Sequence, residues 1–233
     1  CVLCRRCIDA CSVTQSVYAL GLENRGAAAM VVPTMGEQLI ESPCVMCGQC
    51  IQACPVGAIY ENEQIDELLD AIADPDKIVV TQIAPAVRVA LSEEIGMATG
   101  ELPMEVLVAG LRQVGFDYVL HTNFSTDLTI IEEGNELLKR LNEGGVLPMF
   151  TSCSPGWINF CETFYPDLLD HLSTCKSPQQ MFGALVKTYW ADKMNIDPSK
   201  IYSVSIMPCT AKKYEASRPE MCDSGYRDVD LVL

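Results

Sequence analysis

The sequence predicts an α/β domain built on a largely parallel sheet, preceded by a small cysteine-rich module. Three observations lead there. Eight of the 13 cysteines stand in the first 54 residues, in two runs of four. From Lys77 onward, short β-branched runs alternate with helical patterns, the rhythm of parallel α/β proteins. A chain of 233 residues with 49% hydrophobic content can bury one large core, or a small and a medium one.

In chain order, residues 1–60 form the first module, which ends at CPVGAIY, where Pro55 and Gly57 turn the chain into a short strand. Between the cysteine runs, residues 12–43 read as irregular, broken by Gly21, Gly26, Pro33 and Gly36. Apolar spacing at Ile65, Leu68, Leu69 and Ile72 predicts a helix from Asn62 to Ala73, closed by DPDK, so residues 61–76 are expected as a linker helix. Residues 77–233 make up the α/β part. KIVVTQIA, FDYVLHT, GVLPMFTS, IYSVSIMP and VDLVL read as buried strands, with helices near 86–95, 103–113, 125–142, 155–164 and 178–194. TSCSPGW and PCTAKKYE are each expected to place a cysteine immediately after a strand, at the carboxyl ends where such sheets build their sites.

The net charge of −15 argues against nucleic acid and anionic membrane as partners, since both want clustered positive charge. No apolar run reaches the roughly 18–20 residues of a spanning helix. The chain opens CVLCRRC, with no leader pattern, and begins and ends inside segments that read as structured, so a piece of a longer polypeptide is expected. Thiols three residues apart suit a metal better than they suit one another. That usage predicts thiolate-bound metal in a reducing compartment, the cytoplasm.

Each cysteine run has the C-x2-C-x2-C-x3-C spacing of bacterial two-cluster ferredoxins. In that arrangement three closely spaced thiolates hold three irons of a cubane, and the fourth cysteine reaches across to the other cluster. The spacing therefore predicts Cys1, Cys4, Cys7 and Cys54 on one [4Fe–4S] cluster, and Cys44, Cys47, Cys50 and Cys11 on the other. Pro55 follows Cys54 as the pattern expects, whereas Ser12 follows Cys11. Structural zinc would favour paired C-x2-C knuckles over three consecutive steps. The first module is thus expected to be an α+β ferredoxin-like electron relay, and the second to contain a redox site.

Two loops give that redox site a specific character. TSCSPGW (151–157) and MPCTAKKYE (207–215) resemble the first two of three signature loops of the [FeFe]-hydrogenase catalytic domain. QIAPAVR (82–88), LRQVGFDYV (111–119), FSTDLTIIEEGNEL (124–137), LSTCKSPQQMFGA (172–184) and SRPEM (217–221) extend the resemblance over essentially the whole chain. It implies the N-terminal half of that catalytic domain and the reaction 2H⁺ + 2e⁻ ⇌ H₂. It also implies the H-cluster, a [4Fe–4S] cubane bridged by a thiolate to a two-iron unit carrying CO, cyanide and a dithiolate amine.

By the same resemblance, Cys209 ligates the cubane, Lys212 hydrogen-bonds a cyanide and Met207 packs beside the bridging carbonyl. Pro85, Pro178 and Gln179 line the two-iron pocket, and Ala86 stands where many relatives have a Ser. Protons would pass along Cys153, Glu133, Ser173, Glu136 and Arg140. Glu133, Glu136 and Arg140 sit at i, i+3 and i+7 of one predicted helix, hence on one face, and carboxylates lining a dry pocket are expected to have raised pKa values.

Two departures from the family pattern stand out. The first loop commonly carries a second cysteine as cubane ligand where this chain has Ser154. Either the Ser alkoxide ligates, or Cys153 shifts to ligate, or the cluster is altered or absent. A similar Ser variant occurs in catalytic subunits of NAD(P)-linked, multi-subunit members. The third signature loop, which supplies two more cubane ligands, is not among these residues, so the H-cluster is expected only in the complete protein.

The partners implied are ferredoxin or NAD(P)-reducing subunits. The rival readings are a non-catalytic iron–sulfur biogenesis or sensory relative and a simple electron-transfer protein. Cys161 and Cys175 read as core residues, Cys222 has no functional reading, and neither His121 nor His171 is given a catalytic role.

Overall fold

The computed structural model describes residues 1–36 and 38–233, with Met35 described by its backbone alone. Its helices are α1 (Arg6–Asp9), α2 (Gln49–Ala53), α3 (Ile65–Ala73), α4 (Pro85–Glu94), α5 (Met104–Val114), α6 (Asn123–Glu143), α7 (Pro155–Phe164), α8 (Pro178–Leu185), α9 (Ala191–Met194) and α10 (Ala211–Ser217). The strands are β1 (Leu20–Glu23), β2 (Met30–Pro33), β3 (Ile78–Ile83), β4 (Tyr118–His121), β5 (Ile201–Ile206) and β6 (Leu231–Val232). They form two compact units. One comprises Cys1–Asn62 with Pro155–Leu169 and Cys209–Ala211; the other holds Glu63–Ser154, Asp170–Pro208 and Lys212–Leu233.

In the smaller unit, β1 and β2 pair antiparallel, Leu20 opposite Pro33. The expectation of an irregular 12–43 segment is corrected here: Gly21 is accommodated inside β1 opposite Val32, Gly26 lies in the turn, and Pro33 ends β2. The short strand expected at AIY does not form, and residues 58–60 have no ladder partner. Val17, Ala19 and Val45 make a small buried core, against which Cys11, Cys44, Cys47 and Phe160 of α7 pack. Asn159 of α7 donates to the Cys44 carbonyl at 3.1 Å, so this helix is integral to the cysteine-rich unit.

The larger unit carries a four-stranded sheet in the order β4-β3-β5-β6, parallel throughout. Side chains of neighbouring residues on a strand point to opposite faces. Val79, Val204 and Leu231 accordingly pack with Leu68, Ala71 and Phe116 on one face. Val80 and Ile201 pack with Phe182, Val186 and Ala191 on the other. Full burial of such side chains contributes about 1.5–3 kcal/mol each. Helix α3 therefore buries its apolar side in this core. On the opposite face, α8 continues through a π-helical segment (Val186–Trp190) into α9, covering the span expected as one helix over 178–194. The buried Lys187 ion-pairs with Asp230 at 2.7 Å and ties down the segment leading into β6.

GVLPMFTS is not a strand. Phe150 makes a single parallel bridge to Leu172, because Pro148 lacks an N–H to donate and glycines 144–145 turn the chain out of α6. The TSCSPGW cysteine consequently follows a loop, whereas Cys209 does follow β5. No helix among the described residues is long and apolar enough to cross a membrane.

Candidate functional site

The two cysteine runs share one backbone design. Leu3 (φ 55) and Arg5 (φ 64) in the first run adopt the left-handed conformation, as do Met46 (φ 57) and Gly48 (φ 73) at the same places in the second. Non-glycine residues rarely adopt it, and its recurrence curls each run about a centre. The Leu3 N–H points at Cys1 Sγ and the Met46 N–H at Cys44 Sγ, each at 3.4 Å. The fourth cysteines are treated alike: Ala19 N–H lies 3.2 Å from Cys11 Sγ and Ala58 N–H 3.2 Å from Cys54 Sγ. Backbone N–H groups aimed at sulfur favour the thiolate.

Burial pushes the Cys7 thiol up, with Cys54 and Cys4 adding to the effect. It pushes Cys50 up to about 11, with Cys44, Cys47 and Cys11 as further like-charged neighbours. The structure thus groups Cys54 with the first run and Cys11 with the second. Backbone N–H groups of Val56 and Ala58 hold Cys54 below its usual range. Cys1, Cys4, Cys7 and Cys54 border one cavity of about 500 Å³, which Cys50 of the second run also reaches. All eight cysteines are free thiols, and among the described residues no three His, Cys, Asp or Glu converge tightly enough for a lone metal ion. Two sets of four free thiols of this kind fit two iron–sulfur cubanes.

In the larger unit, β3 is followed by β4 on one side and, later in the chain, by β5 on the other. The carboxyl ends of β3 and β5 are therefore a topological switch point, the place where open α/β sheets bind ligands. Pro85 and Ala86 open α4 directly after β3, and Met207 follows β5 with its N–H on Leu233 O at 2.8 Å. Pro178 opens α8, where Ser177 caps the Gln180 N–H. Gln179 is buried and its amide is committed to protein: Oε1 accepts from Ser205 Oγ at 2.9 Å, and Nε2 donates to Lys212 O and Glu215 Oε2, each at 3.2 Å.

Lys212 Nζ donates to Cys153 O at 2.8 Å and Glu215 Oε2 at 3.0 Å. An ammonium has three protons, so this one keeps a third for an anionic ligand. Next to Gln179, Gln180 is fully buried with neither amide atom partnered. The lining therefore fits an anionic group such as cyanide-bearing iron. Of the residues expected as cubane donors, Cys209 is half-buried in the smaller unit, and Cys153 and Ser154 are exposed in the larger one.

Along α6, Ser125, Thr129, Glu133, Glu136 and Arg140 share the buried or half-buried side, as the i, i+3, i+7 spacing predicts. Glu136 accepts from Ser173 Oγ at 2.8 Å, from Thr174 N at 3.0 Å, and from Arg140 Nη2 at 2.6 Å. Arg140 is pinned in turn by the carbonyls of Val146, Asp170 and Leu172. The expectation of a raised carboxylate pKa is corrected for Glu136: burial alone would raise it, but Ser173, Arg140 and Thr174 together hold it below the usual range. Glu133 is different, for its buried Oε1 has no hydrogen-bond partner. The structure thus joins Ser173, Glu136 and Arg140, while Cys153 and Glu133 are not bonded to them among the described residues. A cleft of about 630 Å³ reaches Glu136 and Arg140 past Glu132, Lys139 and Cys175.

Sequence reasoning missed Glu215, Ser177, Ser205 and Thr174. Glu215 was within reach, since it lies three residues after Lys212 on one helix, a spacing that brings side chains together. Cys161 is fully buried, as a core residue should be.

Residues 1–58 match the 4Fe-4S dicluster domain, and residues 77–233 match the iron only hydrogenase large subunit, C-terminal domain. The NADP-reducing hydrogenase subunit HndD of Solidesulfovibrio fructosivorans is 48% identical over 239 aligned residues, which take in 100% of this chain and 41% of that protein. Iron hydrogenase 1 of Clostridium pasteurianum is 42% identical, again over 100% of this chain and 41% of its own length. The cytosolic Fe-S cluster assembly factor narfl of Danio rerio is 37% identical over 67% of this chain and 40% of its own. Among solved structures, the apo [FeFe]-hydrogenase HydA1 of Chlamydomonas reinhardtii, variant C377H, aligns at a TM-score of 0.69 and 48% identity, covering 74% of this chain and 45% of that one. The chain spans less than half the length of these relatives.

Proposed function

Because the chain belongs to the iron-only hydrogenase large-subunit family, we propose that it supplies the electron relay and the N-terminal half of the catalytic site of an [FeFe] hydrogenase. The complete protein interconverts protons and electrons with H₂. The observation that carries this reading is the Lys212 ammonium, fixed at the switch point of the sheet with one proton left for an anion.

The roles divide among the chain's own residues. Cys1, Cys4, Cys7 and Cys54 hold one [4Fe–4S] cluster, and Cys44, Cys47, Cys50 and Cys11 the other. Lys212 donates to a cyanide of the two-iron group, with Pro85, Ala86, Pro178, Gln179 and Met207 around it. Cys209 contributes a cubane ligand, as does Ser154 or Cys153. When bound, the group supplies the redox chemistry of hydrogen. Protons pass between solvent and Cys153 through Arg140, Glu136, Ser173 and Glu133. Arg140 and the hydrogen bonds to Glu136 hold that carboxylate in place and favour its ionised form between transfers. Glu133, with a buried oxygen that has no partner, is the member left open to a new hydrogen bond along the route.

The net charge of −15 suits docking with the basic edge of a ferredoxin or of an NAD(P)-reducing subunit, in a reducing compartment such as the cytoplasm. The assembly-factor relatives point to a non-catalytic alternative; Cys153, Glu133 and Glu136, the proton-route residues, favour catalysis. The deciding experiment is anaerobic expression of the full-length polypeptide, including the third loop, supplied with the two-iron unit. Hydrogen turnover with carbonyl and cyanide infrared bands is expected. Two ferredoxin-type EPR signals with no hydrogen-responsive species would favour the assembly-factor reading.

A further inference from the structure

A single buried carboxylate gathers the groups that face the switch point. Glu215 on α10 is 4% exposed and accepts from three donors through one oxygen: Ser177 Oγ at 2.8 Å, Lys212 Nζ at 3.0 Å and Gln179 Nε2 at 3.2 Å. Those donors come from the N-terminal end of α8 and the first turn of α10. The network continues inward, since Ser205 of β5 holds the other end of the Gln179 amide and Gln82 of β3 donates to the Gln179 carbonyl at 3.0 Å. Thr122, after β4, then joins Gln82 Oε1 at 3.3 Å. Three adjacent parallel strands are thereby linked to one side chain by buried hydrogen bonds.

A buried carboxylate is costly to desolvate, and Lys212 is the charge that compensates it. Two further donors saturate the same oxygen, more than a surface ion pair would need. The consequence falls on Lys212. Its ammonium is held from two directions, by Glu215 and by the Cys153 carbonyl, which leaves its third proton a restricted direction.

We propose that Glu215 is a positioning residue: it orients Lys212 and Gln179 together toward the anionic ligands of the two-iron group and supplies the counter-charge that keeps the Lys212 proton donor in place. This rests on the reading that the complete protein binds that group. Helix spacing alone explains a Lys–Glu contact, but the Ser177 and Gln179 bonds to the same oxygen have no such local cause.

Full-length protein loaded with the two-iron unit tests the proposal by infrared spectroscopy. The Glu215→Gln variant is expected to shift the cyanide bands in the same direction as Lys212→Ala, while the carbonyl bands move less. Turnover should fall about 10- to 100-fold through misplacement of the donor. Glu215→Asp, which keeps the charge on a shorter arm, should shift the same bands by a smaller amount. Both ferredoxin-type EPR signals should keep their wild-type intensity. Wild-type cyanide bands in folded Glu215→Gln would overturn the proposal; if that variant fails to fold, unshifted bands in Glu215→Asp would do so. Absence of any carbonyl or cyanide band in the loaded wild type would overturn the functional reading itself, and this inference with it.

Discussion

The cysteine runs and the buried side of α6 organise reactive groups by opposite means. In the runs, the functional atoms are neighbours in sequence, and the backbone does the arranging through paired left-handed residues and N–H groups pointed at sulfur. On α6 the backbone is ordinary helix, and partners arrive from far away: Ser173 reaches Glu136 across 37 positions and the Leu172 carbonyl reaches Arg140 across 32. The first design makes a site that tolerates change elsewhere but not within the run. The second depends on the packing of the larger unit, so a remote disturbance of the 170–175 loop would be felt at the carboxylate.

The largest expected effect belongs to the cysteine runs. Anaerobic reconstitution should load about eight irons per chain, from two four-iron clusters. Stripping the iron with a chelator should open residues 1–62 to proteolysis while the larger unit stays protected, because ligand binding there is folding free energy. Equal protection of both units after chelation would break the contrast.

Next comes α6 in the full-length enzyme. Glu133→Gln should lower turnover by about 100-fold or more, as loss of a proton-transfer group does. Unchanged turnover would remove Glu133 from the route.

Arg140→Leu should cost roughly 1–3 kcal/mol, because it leaves Glu136 without its counter-charge and the carbonyls of Val146, Asp170 and Leu172 without their donor. The pH dependence supplies a sharper view of the same pair. The folded pKa of Glu136 lies below its unfolded value, so its contribution is present at neutral pH and above the usual carboxylate range. It is lost as pH falls through the depressed folded value. Denaturant melts from about pH 7 down to about pH 3 should show a wild-type decline that is smaller in Glu136→Gln, for which this term is absent. Parallel curves would refute the assignment.

The smallest effects test whether the two runs share one backbone. Gly48 has φ +73, and a Cβ there would stand 2.5 Å from Thr210 Oγ1, so Gly48→Ala should destabilise by about 1–3 kcal/mol. At the equivalent place Arg5 already bears the strain, and Arg5→Gly should stabilise by about 0.5–1 kcal/mol. Opposite signs in chemical melts are the expected result.

Legibility followed the range of the interactions. Cys1 to Cys54 could be read because ligand spacing is local, and Glu133, Glu136 and Arg140 because helical periodicity puts them on one side without any knowledge of the fold. The strands β3, β4 and β5 were legible as β-branched runs bounded by breaks. GVLPMFTS was misread because its apolar content says nothing about whether a neighbouring strand is there to pair with, and Pro148 removes a donor. Residues 12–43 were misread in the other direction, since a four-residue hairpin strand carries too little pattern to register.

By itself, the sequence determined the repeated spacing of the two cysteine runs, the alternation of strand and helix, and the resemblance carried by MPCTAKKYE, all of which depend on residues close together in the chain. Tertiary structure alone decided that Glu136 is held by Ser173, Thr174 and Arg140 with its ionised form favoured, and that Glu133 keeps a buried oxygen without a partner. It also decided that Lys212, Gln179 and Ser177 meet on Glu215. The reason is physical: a protonation preference is set by burial and by donors contributed from distant segments, and neither exists until the chain has folded.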